Sequence, residues 1–267
     1  DLMAELFNPA VLTALAVCTM AAAATIVGSL IVVRGNPSSP RLLAFGLAFS
    51  GGAMVYVSLV EIFNKSISSF GEAFSPNAAY SAATLSFFAG ITMLGVIDRL
   101  IPNPHAGLDP KHPEAEQARM RRVGLLTAAA ITAHNFPEGL ATFFATLDNP
   151  SVGAPLAFAI GIHNIPEGVS IAVPVFYATG SKRQAIGATS ISALAEPAGA
   201  IIGYLILAPF LSPAIFGAVF GVIAGVMVFL ALDELMPEAK RYSVGHEAAY
   251  GMVIGMGAMA LSLVLFK

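Results

Sequence analysis

Long apolar runs alternate with short polar connectors along the whole chain. Eight of the runs approach the length of about 20 residues that a helix needs to cross a bilayer. They lie at 10–33, 41–63, 80–100, 123–147, 153–178, 184–208, 213–235 and 248–266. The first run is too long for the apolar core of a signal peptide and follows no basic segment, so we expect it to be retained. The pattern predicts an all-α polytopic membrane protein with eight transmembrane helices.

The connectors between these runs are short. The longest, residues 101–122, holds four prolines and dense charge, and we expect it to be a flexible loop. Little else remains outside the apolar runs. Residues 1–267 are therefore predicted to form a single transmembrane domain with no soluble domain attached.

Composition supports a membrane location and excludes some functions. Charged residues make up 11% of the chain, and its mean hydropathy is +0.79; soluble domains carry about 25% charged residues. The few basic residues do not form a basic patch, so nucleic-acid binding is not expected. Cys18 is the single cysteine, which excludes a disulfide within the chain.

The distribution of lysine and arginine predicts the orientation. With eight spans, alternate connectors lie on the same side of the membrane. One side holds eleven basic residues: Arg34, Arg41, Arg99, Lys111, Arg119, Arg121, Arg122, Lys182, Arg183, Lys240 and Arg241. The other side, which includes both ends of the chain, holds only Lys65 and Lys267. The positive-inside rule then places both termini outside the cytoplasm and loop 101–122 inside it.

A polar motif occurs twice in the middle of predicted spans, as HNFPEGL at 134–140 and HNIPEGV at 163–169. Counting 1.5 Å per residue from the predicted helix starts places His134 roughly 16 Å and His163 roughly 15 Å deep, from opposite faces. Glu196, in the string AEPAG of the next run, lies roughly 18 Å deep. Within each copy, histidine and glutamate are four residues apart and share a helix face. Three helices should therefore converge polar groups near the membrane midplane.

Imidazole and carboxylate groups together suit zinc, iron, manganese and similar ions. Two histidines and two glutamates suffice for one tetrahedral ion, and the same glutamates could share a second ion with Asn135, Asn164 and Glu196. Ionised glutamates at this depth cost roughly 3 kcal/mol each even on the lower insertion scales. A hydrogen-bonded network that only fixes helix packing is the alternative. Because two copies of one His/Glu pair exceed what packing requires, we favour a metal site.

These strings resemble the ZIP (Zrt-/Irt-like protein) family of divalent-metal transporters, especially its bacterial zinc-uptake branch. The similarity extends through RLLAFGLAFSGGAM, DRLIPNPH, TGSKRQA and DELMPEAKRY. Eight helices with both termini outside is also the topology of that family. It agrees with the orientation that the lysines and arginines predict.

The resemblance implies a binuclear metal site between helices four, five and six. One ion would be held by the residues His134, Glu138, His163 and Glu167. The other would be held by Asn135, Asn164 and Glu196 together with both glutamates of the motifs. The histidine and asparagine positions of helix five vary within the family. With both present, this copy resembles a broad-range carrier of zinc, iron, manganese, cadmium and cobalt ions, for which metal is the substrate and no cofactor is expected.

Further polar residues lie toward the predicted helix ends. Glu61 could capture metal at the outer mouth, or be an interfacial acid beside Lys65. The acids of the inner helix ends resemble the family's exit route; solvated ends paired with Arg99, Lys240 or Arg241 are the alternative. These acids are Asp98, Asp233, Glu234 and Glu238. Two loop histidines, His105 and His112, could collect released metal, although free loop histidines usually have no such role.

Transport of divalent metal into the cytoplasm, across a bacterial inner membrane, is the leading hypothesis. A metal-gated channel or sensor would use the same ligands and differ in turnover and saturation, so it remains an alternative. An intramembrane zinc hydrolase commonly carries H-E-x-x-H, and no such string occurs. We therefore expect a transporter and not an enzyme. Its expected partners are metal ions and the lipid bilayer, and a homodimer is left open.

Overall fold

The computed structural model describes residues 7–35, 40–100, 113–148, 150–207, 210 and 212–265. Within these ranges all regular structure is helical, in eight rods. They are α1 (Pro9–Gly35), α2 (Pro40–Gly71), α3 (Pro76–Leu100), α4 (Pro113–Asp148), α5 (Pro150–Thr179), α6 (Lys182–Ile206), α7 (Pro213–Tyr242) and α8 (Glu247–Leu265).

Each predicted apolar run coincides with one of these rods, so the all-helical fold class is confirmed. Counting the described residues alone, six rods are long and apolar enough to cross a membrane, namely α1, α2, α3, α6, α7 and α8. The other two, α4 and α5, carry the repeated motif. Eight membrane crossings and the sides on which the termini lie remain predictions.

The start of α4 differs from the prediction. This helix begins at Pro113, ten residues before the predicted start, so residues 113–122 are helical and not a flexible loop. Proline fits the first position of a helix, and Glu114 and Glu116 in the first turn favour the positive end of the helix dipole. The remainder of the predicted loop, 101–112, lies outside the described residues.

Proline starts most of the rods and also interrupts one of them. Six of the eight begin at a proline. A backbone N–H at the first position of a helix has no intrahelical partner, so proline, which lacks this group, loses no hydrogen bond there. Inside α6 the helix is interrupted at Leu194, between the segments Lys182–Ala193 and Ala195–Ile202. Pro197 follows three residues later and cannot donate to the carbonyl four residues before it, which accounts for the interruption.

The rods pack as two groups of four. The first group consists of α1, α4, α5 and α6, and the second of α2, α3, α7 and α8. Within each group, helices cross at glycines whose missing side chain admits a neighbouring backbone. These crossings include Gly168 on Thr25, Gly139 on Glu196, Gly255 on Phe49 and Gly225 on Phe87. A methyl group at any of these glycines would overlap a carbonyl oxygen. Small residues of this kind allow close helix packing in membranes.

Contacts between the two groups are of another kind. Helices α2 and α5 approach each other, as do α4 and α7. At the first of these boundaries, a Cβ atom placed on Gly46 of α2 would lie 3.5 Å from the side chain of Val173 on α5, which is an ordinary van der Waals distance. At this point a side chain, and not backbone, lies between the groups.

The outer faces of the rods expose large apolar side chains. Met20, Leu85, Leu125, Ile191 and Val264 are each at least 70% exposed. Continuous apolar surface of this extent is unusual on a soluble monomer and suits contact with lipid. The exterior agrees with the predicted lipid bilayer as partner.

Candidate metal centre

The structure buries the motif residues together in the first helix group. His134, Asn135 and Glu138 come from α4, and Asn164 and Glu167 come from α5. Glu196 lies in the first turn of the second segment of α6, directly after the interruption at Leu194. All six side chains are at most 2% exposed. The predicted convergence of three helices on one polar cluster is therefore observed.

His134 contacts the glutamates of both motif copies. Its Nε2 atom lies 3.3 Å from Oε2 of Glu138, one helical turn along α4, and 3.5 Å from Oε1 of Glu167 on α5. The shared helix face that the sequence predicts within the first copy is thus confirmed. In the second copy, the backbone of His163 lies in α5, and its side chain is outside the described part of the structure.

Backbone carbonyls orient the two motif asparagines. The Nδ2 atom of Asn135 donates to the carbonyl oxygen of Ser192 at 3.1 Å, and Nδ2 of Asn164 donates to that of Ala21 at 3.1 Å. Because a carbonyl can only accept, the amide nitrogens must face these groups. Asn164 also donates to Oε1 of Glu196. Each Oδ1 atom is buried and accepts no hydrogen bond from the described residues, so both are available as oxygen ligands.

The cluster concentrates acid in the interior of the helix group. Glu138, Glu167 and Glu196 are all buried, and buried carboxylates are stable only when cations or donors compensate them. An ammonium group from the second helix group is close: Nζ of Lys65 on α2 lies 4.0 Å from Oε1 of Glu138. Sequence reasoning paired Lys65 only with Glu61, and no sequence pattern indicates its approach to α4.

Direct contacts hold the cluster together in this arrangement. Among the described side chains, no group of three or more His, Cys, Asp or Glu has its donors disposed to hold a metal ion. The donors that are present, imidazole, carboxylate and amide oxygen, are those that borderline and hard divalent cations prefer. The binuclear ligand set implied by the family resemblance remains a proposal.

The predicted outer acid has a partner. Glu61 lies in a π-helical turn of α2, Ser58–Ile62, and its Oε1 atom is 2.9 Å from Nζ of Lys65. The ion pair with Lys65, the alternative interpretation of this acid, is therefore present. π-Helical turns inside α-helices occur frequently at functional sites, so Glu61 stays a candidate for metal capture at the outer mouth in spite of its ion pair.

The predicted exit acids meet arginines at one end of the bundle. Arg122 of α4 pairs with Asp98 at the end of α3, and its Nε atom lies 3.9 Å from Oε1 of Glu234 in α7. Asp233 is exposed. The anticipated partners were Arg99, Lys240 and Arg241, and among the described residues only Arg241 pairs with one of these acids: it lies 3.7 Å from Glu238, which also faces Arg119 at 3.2 Å. His105 and His112 lie outside the described residues.

Glu116, which sequence reasoning did not single out, joins three helices at the same end. Its Oε1 atom accepts hydrogen bonds from the hydroxyls of Tyr242 at 2.7 Å and Tyr177 at 2.8 Å. Tyr177 belongs to the first helix group and Tyr242 to the second. Glu116 precedes the predicted span 123–147. The hydrogen bond from Tyr242 is the main cause that holds the pKa of the Glu116 carboxyl below its usual value.

Because the folded state lowers this pKa, the stabilisation is present at pH above the unfolded value of about 4.3 and is lost as pH falls through the lower folded value. We expect Glu116→Gln to lower the melting temperature at pH 7 by a few degrees. The difference from wild type should shrink as the pH is reduced below 4. Thermal unfolding in detergent at several pH values measures both, with exposed Glu72→Gln as control. A difference that stays constant with pH would contradict this origin.

Comparison with known proteins identifies the family. The sequence model of the ZIP zinc transporter family matches residues 103–263. A zinc transporter ZupT of Xanthomonas campestris pv. campestris is 63% identical, covering 99% of this chain and 98% of that protein. ZupT of Stenotrophomonas maltophilia is 61% identical over 95% and 96% of the two chains. ZupT of Neisseria meningitidis is 59% identical over 91% of each.

These relatives confirm the resemblance to the bacterial zinc-uptake branch, and their names describe transporters and not enzymes. The apolar helices agree with a protein that crosses the membrane several times. The chain therefore belongs to the ZIP zinc transporter family and is an integral multi-pass membrane protein.

Proposed function

We propose that this protein carries zinc and related divalent ions across the bacterial inner membrane into the cytoplasm. The observation that carries the proposal is the buried contact of His134 with Glu138 and Glu167, which unites both motif copies. The names of the relatives support zinc as a substrate. The nitrogen and oxygen donors extend the proposed range to iron(II), manganese and cobalt, and the family resemblance adds cadmium.

The proposed ligand sets follow the motif. His134, Glu138, His163 and Glu167 hold one ion. Asn135, Asn164 and Glu196, with both glutamates bridging, hold the second. The orientation of the asparagines supports this assignment, because each turns its nitrogen to a carbonyl and its Oδ1 accepts no hydrogen bond from the described part of the chain. The hydrogen bond from Asn164 brings Glu196 beside the second set.

The proposed path runs through the acids at the helix ends. With both termini outside, Glu61 lies toward the outer mouth, and Asp98, Asp233 and Glu234 lie toward the cytoplasm, where His105 and His112 collect the released ion. Arg122 pairs with two of these exit acids. We infer that the inner exit is closed in this arrangement, and that Arg122 must leave before metal passes.

The two helix groups provide a means of alternating access. The proposed ligands all lie on α4, α5 and α6 of the first group, whose members are joined by glycine crossings. At Gly46 the boundary with the second group is a contact with the side chain of Val173. Movement of the first group past the second therefore carries the site from one side to the other, as in transporters with a site at the membrane midplane.

Uptake of metal into liposomes that hold the purified protein tests this function. We expect zinc uptake to saturate with concentration, since a carrier has a finite number of sites, whereas a channel would not saturate in this way. Liposomes without protein give the background. Absence of protein-dependent uptake for zinc, iron(II), manganese and cadmium would overturn the proposal.

His163→Ala is expected to change the ranking of these metals. Removing an imidazole weakens binding of zinc more than binding of manganese, which prefers oxygen ligands. The ratio of zinc to manganese uptake should therefore fall. His246→Ala, at an exposed histidine before α8, is the matched control. An unchanged ratio in His163→Ala would remove that residue from the proposed site.

A further inference from the structure

One cation from the second helix group reaches into the metal centre. Lys65 belongs to α2. Its side chain is 30% exposed, whereas that of Glu138 is 1% exposed. Its Nζ atom lies 2.9 Å from Glu61 and 4.0 Å from Glu138. The ammonium group thus spans from a carboxylate of the outer path to a carboxylate of the buried cluster.

This position places Lys65 in competition with an incoming ion. A divalent cation that moves from Glu61 to Glu138 needs the same two carboxylates that the ammonium now faces. Lysine is a compact point charge on a flexible stem of four carbons, so it can withdraw without a change in the backbone. A charge that close to a buried carboxylate interacts strongly, because the surroundings screen it weakly.

We propose that Lys65 is a tethered cation that balances Glu138 between transport cycles and is displaced when metal binds. The inference rests on the proposed transport function and adds a residue that sets metal affinity. The ammonium keeps Glu138 compensated when no ion is bound. It also weakens metal binding, because each arriving ion must first displace it, and that weakening assists release.

A tethered competitor has a distinctive signature. It reduces the affinity for every divalent ion by the same factor, since the displaced group is the same each time. Removing the charge should therefore strengthen zinc and cadmium binding equally. A metal ligand would behave differently: its loss weakens binding and changes the ranking of metals.

The test compares Lys65→Met, which keeps most of the length and loses the charge, with Lys65→Arg, which keeps the charge. We expect Lys65→Met to lower both the Kd for zinc in detergent and the KM for zinc uptake by about tenfold. Cadmium should shift by the same factor, and Lys65→Arg should stay close to wild type. Lys182→Gln, at an exposed lysine at the start of α6, is the control for a change in net charge.

The outcomes separate this inference from the function on which it rests. If wild type shows no saturable uptake, the transport proposal itself fails. If wild type transports and Lys65→Met has unchanged or weaker zinc binding, only the role of Lys65 falls. A lower melting temperature in Lys65→Met with unchanged Kd would identify a purely structural ion pair, and unequal shifts for zinc and cadmium would also overturn the competitor role.

Discussion

Glu138→Gln is expected to reduce zinc uptake by at least about a hundredfold, because changes even to the outer shell of a metal site cost 10–100-fold. Glu138 is the carboxylate on which the contacts of the cluster converge: it faces His134 at 3.3 Å and Lys65 at 4.0 Å. Glutamine keeps the shape of the side chain and removes its negative charge. A neutral amide cannot balance the charge of a divalent ion in a buried site. Because the Glu138 carboxylate is the proposed bridge between two ions, its loss affects the binding of both.

Zinc uptake into liposomes over a range of concentrations measures the effect, with equal amounts of folded protein confirmed by gel filtration and thermal unfolding. The control is Glu72→Gln, at an exposed glutamate that directly follows α2. Uptake by Glu138→Gln within twofold of wild type would show that the cluster serves packing and not transport.

Gly255→Ala is expected to destabilise the protein by about 1–3 kcal/mol, the usual cost of forcing extra atoms into a packed interior. A methyl group at this position of α8 would overlap the carbonyl group of Phe49 on α2. Both partners are helix backbone, which cannot rotate away as a side chain can. The two helices must separate along their contact, so we expect a fall in melting temperature of about 5 °C or more.

Gly257→Ala supplies a matched control on the same helix. None of the residues that the structure describes lies within 4 Å of a methyl group at Gly257, and alanine favours a helix by up to about 1 kcal/mol over glycine. Its melting temperature should equal or exceed that of wild type. Equal melting temperatures for the two variants in detergent and in lipid would show that the α2–α8 crossing does not depend on close backbone approach.

Much of the helical layout could be predicted because membrane helices leave a strong pattern in the sequence. The bilayer fixes their length, and the apolar runs matched the rods. The same regularity carried the prediction of the cluster: depth counted from the predicted helix starts brought His134, His163 and Glu196 to one level, and the structure buries His134 and Glu196 together. The motif spacing gave the contact of His134 with Glu138, since residues four apart share a helix face.

Contacts between helices that are distant in sequence could not be predicted. Arg122 meets Asp98 and Glu234, and Lys65 meets Glu138, because of how the rods pack, which periodicity does not encode. The early start of α4, by contrast, could have been predicted from the sequence, because Pro113 followed by Glu114 and Glu116 is typical of a helix start. The dense charge of that segment favoured a loop instead. The division into two groups also had no visible signal, since glycines occur throughout.

The two kinds of helix contact differ in how they respond to mutation. Where Gly168 meets the backbone of Thr25, or Gly255 that of Phe49, a larger residue cannot be offset by a smaller partner, because the contacting group is a backbone carbonyl that every residue carries. Where Gly46 meets Val173, a change on one helix can be matched by a change on the other. Under the proposed movement of one group past the other, paired substitutions at this boundary are therefore the natural means to make a faster or slower transporter while both halves keep their architecture.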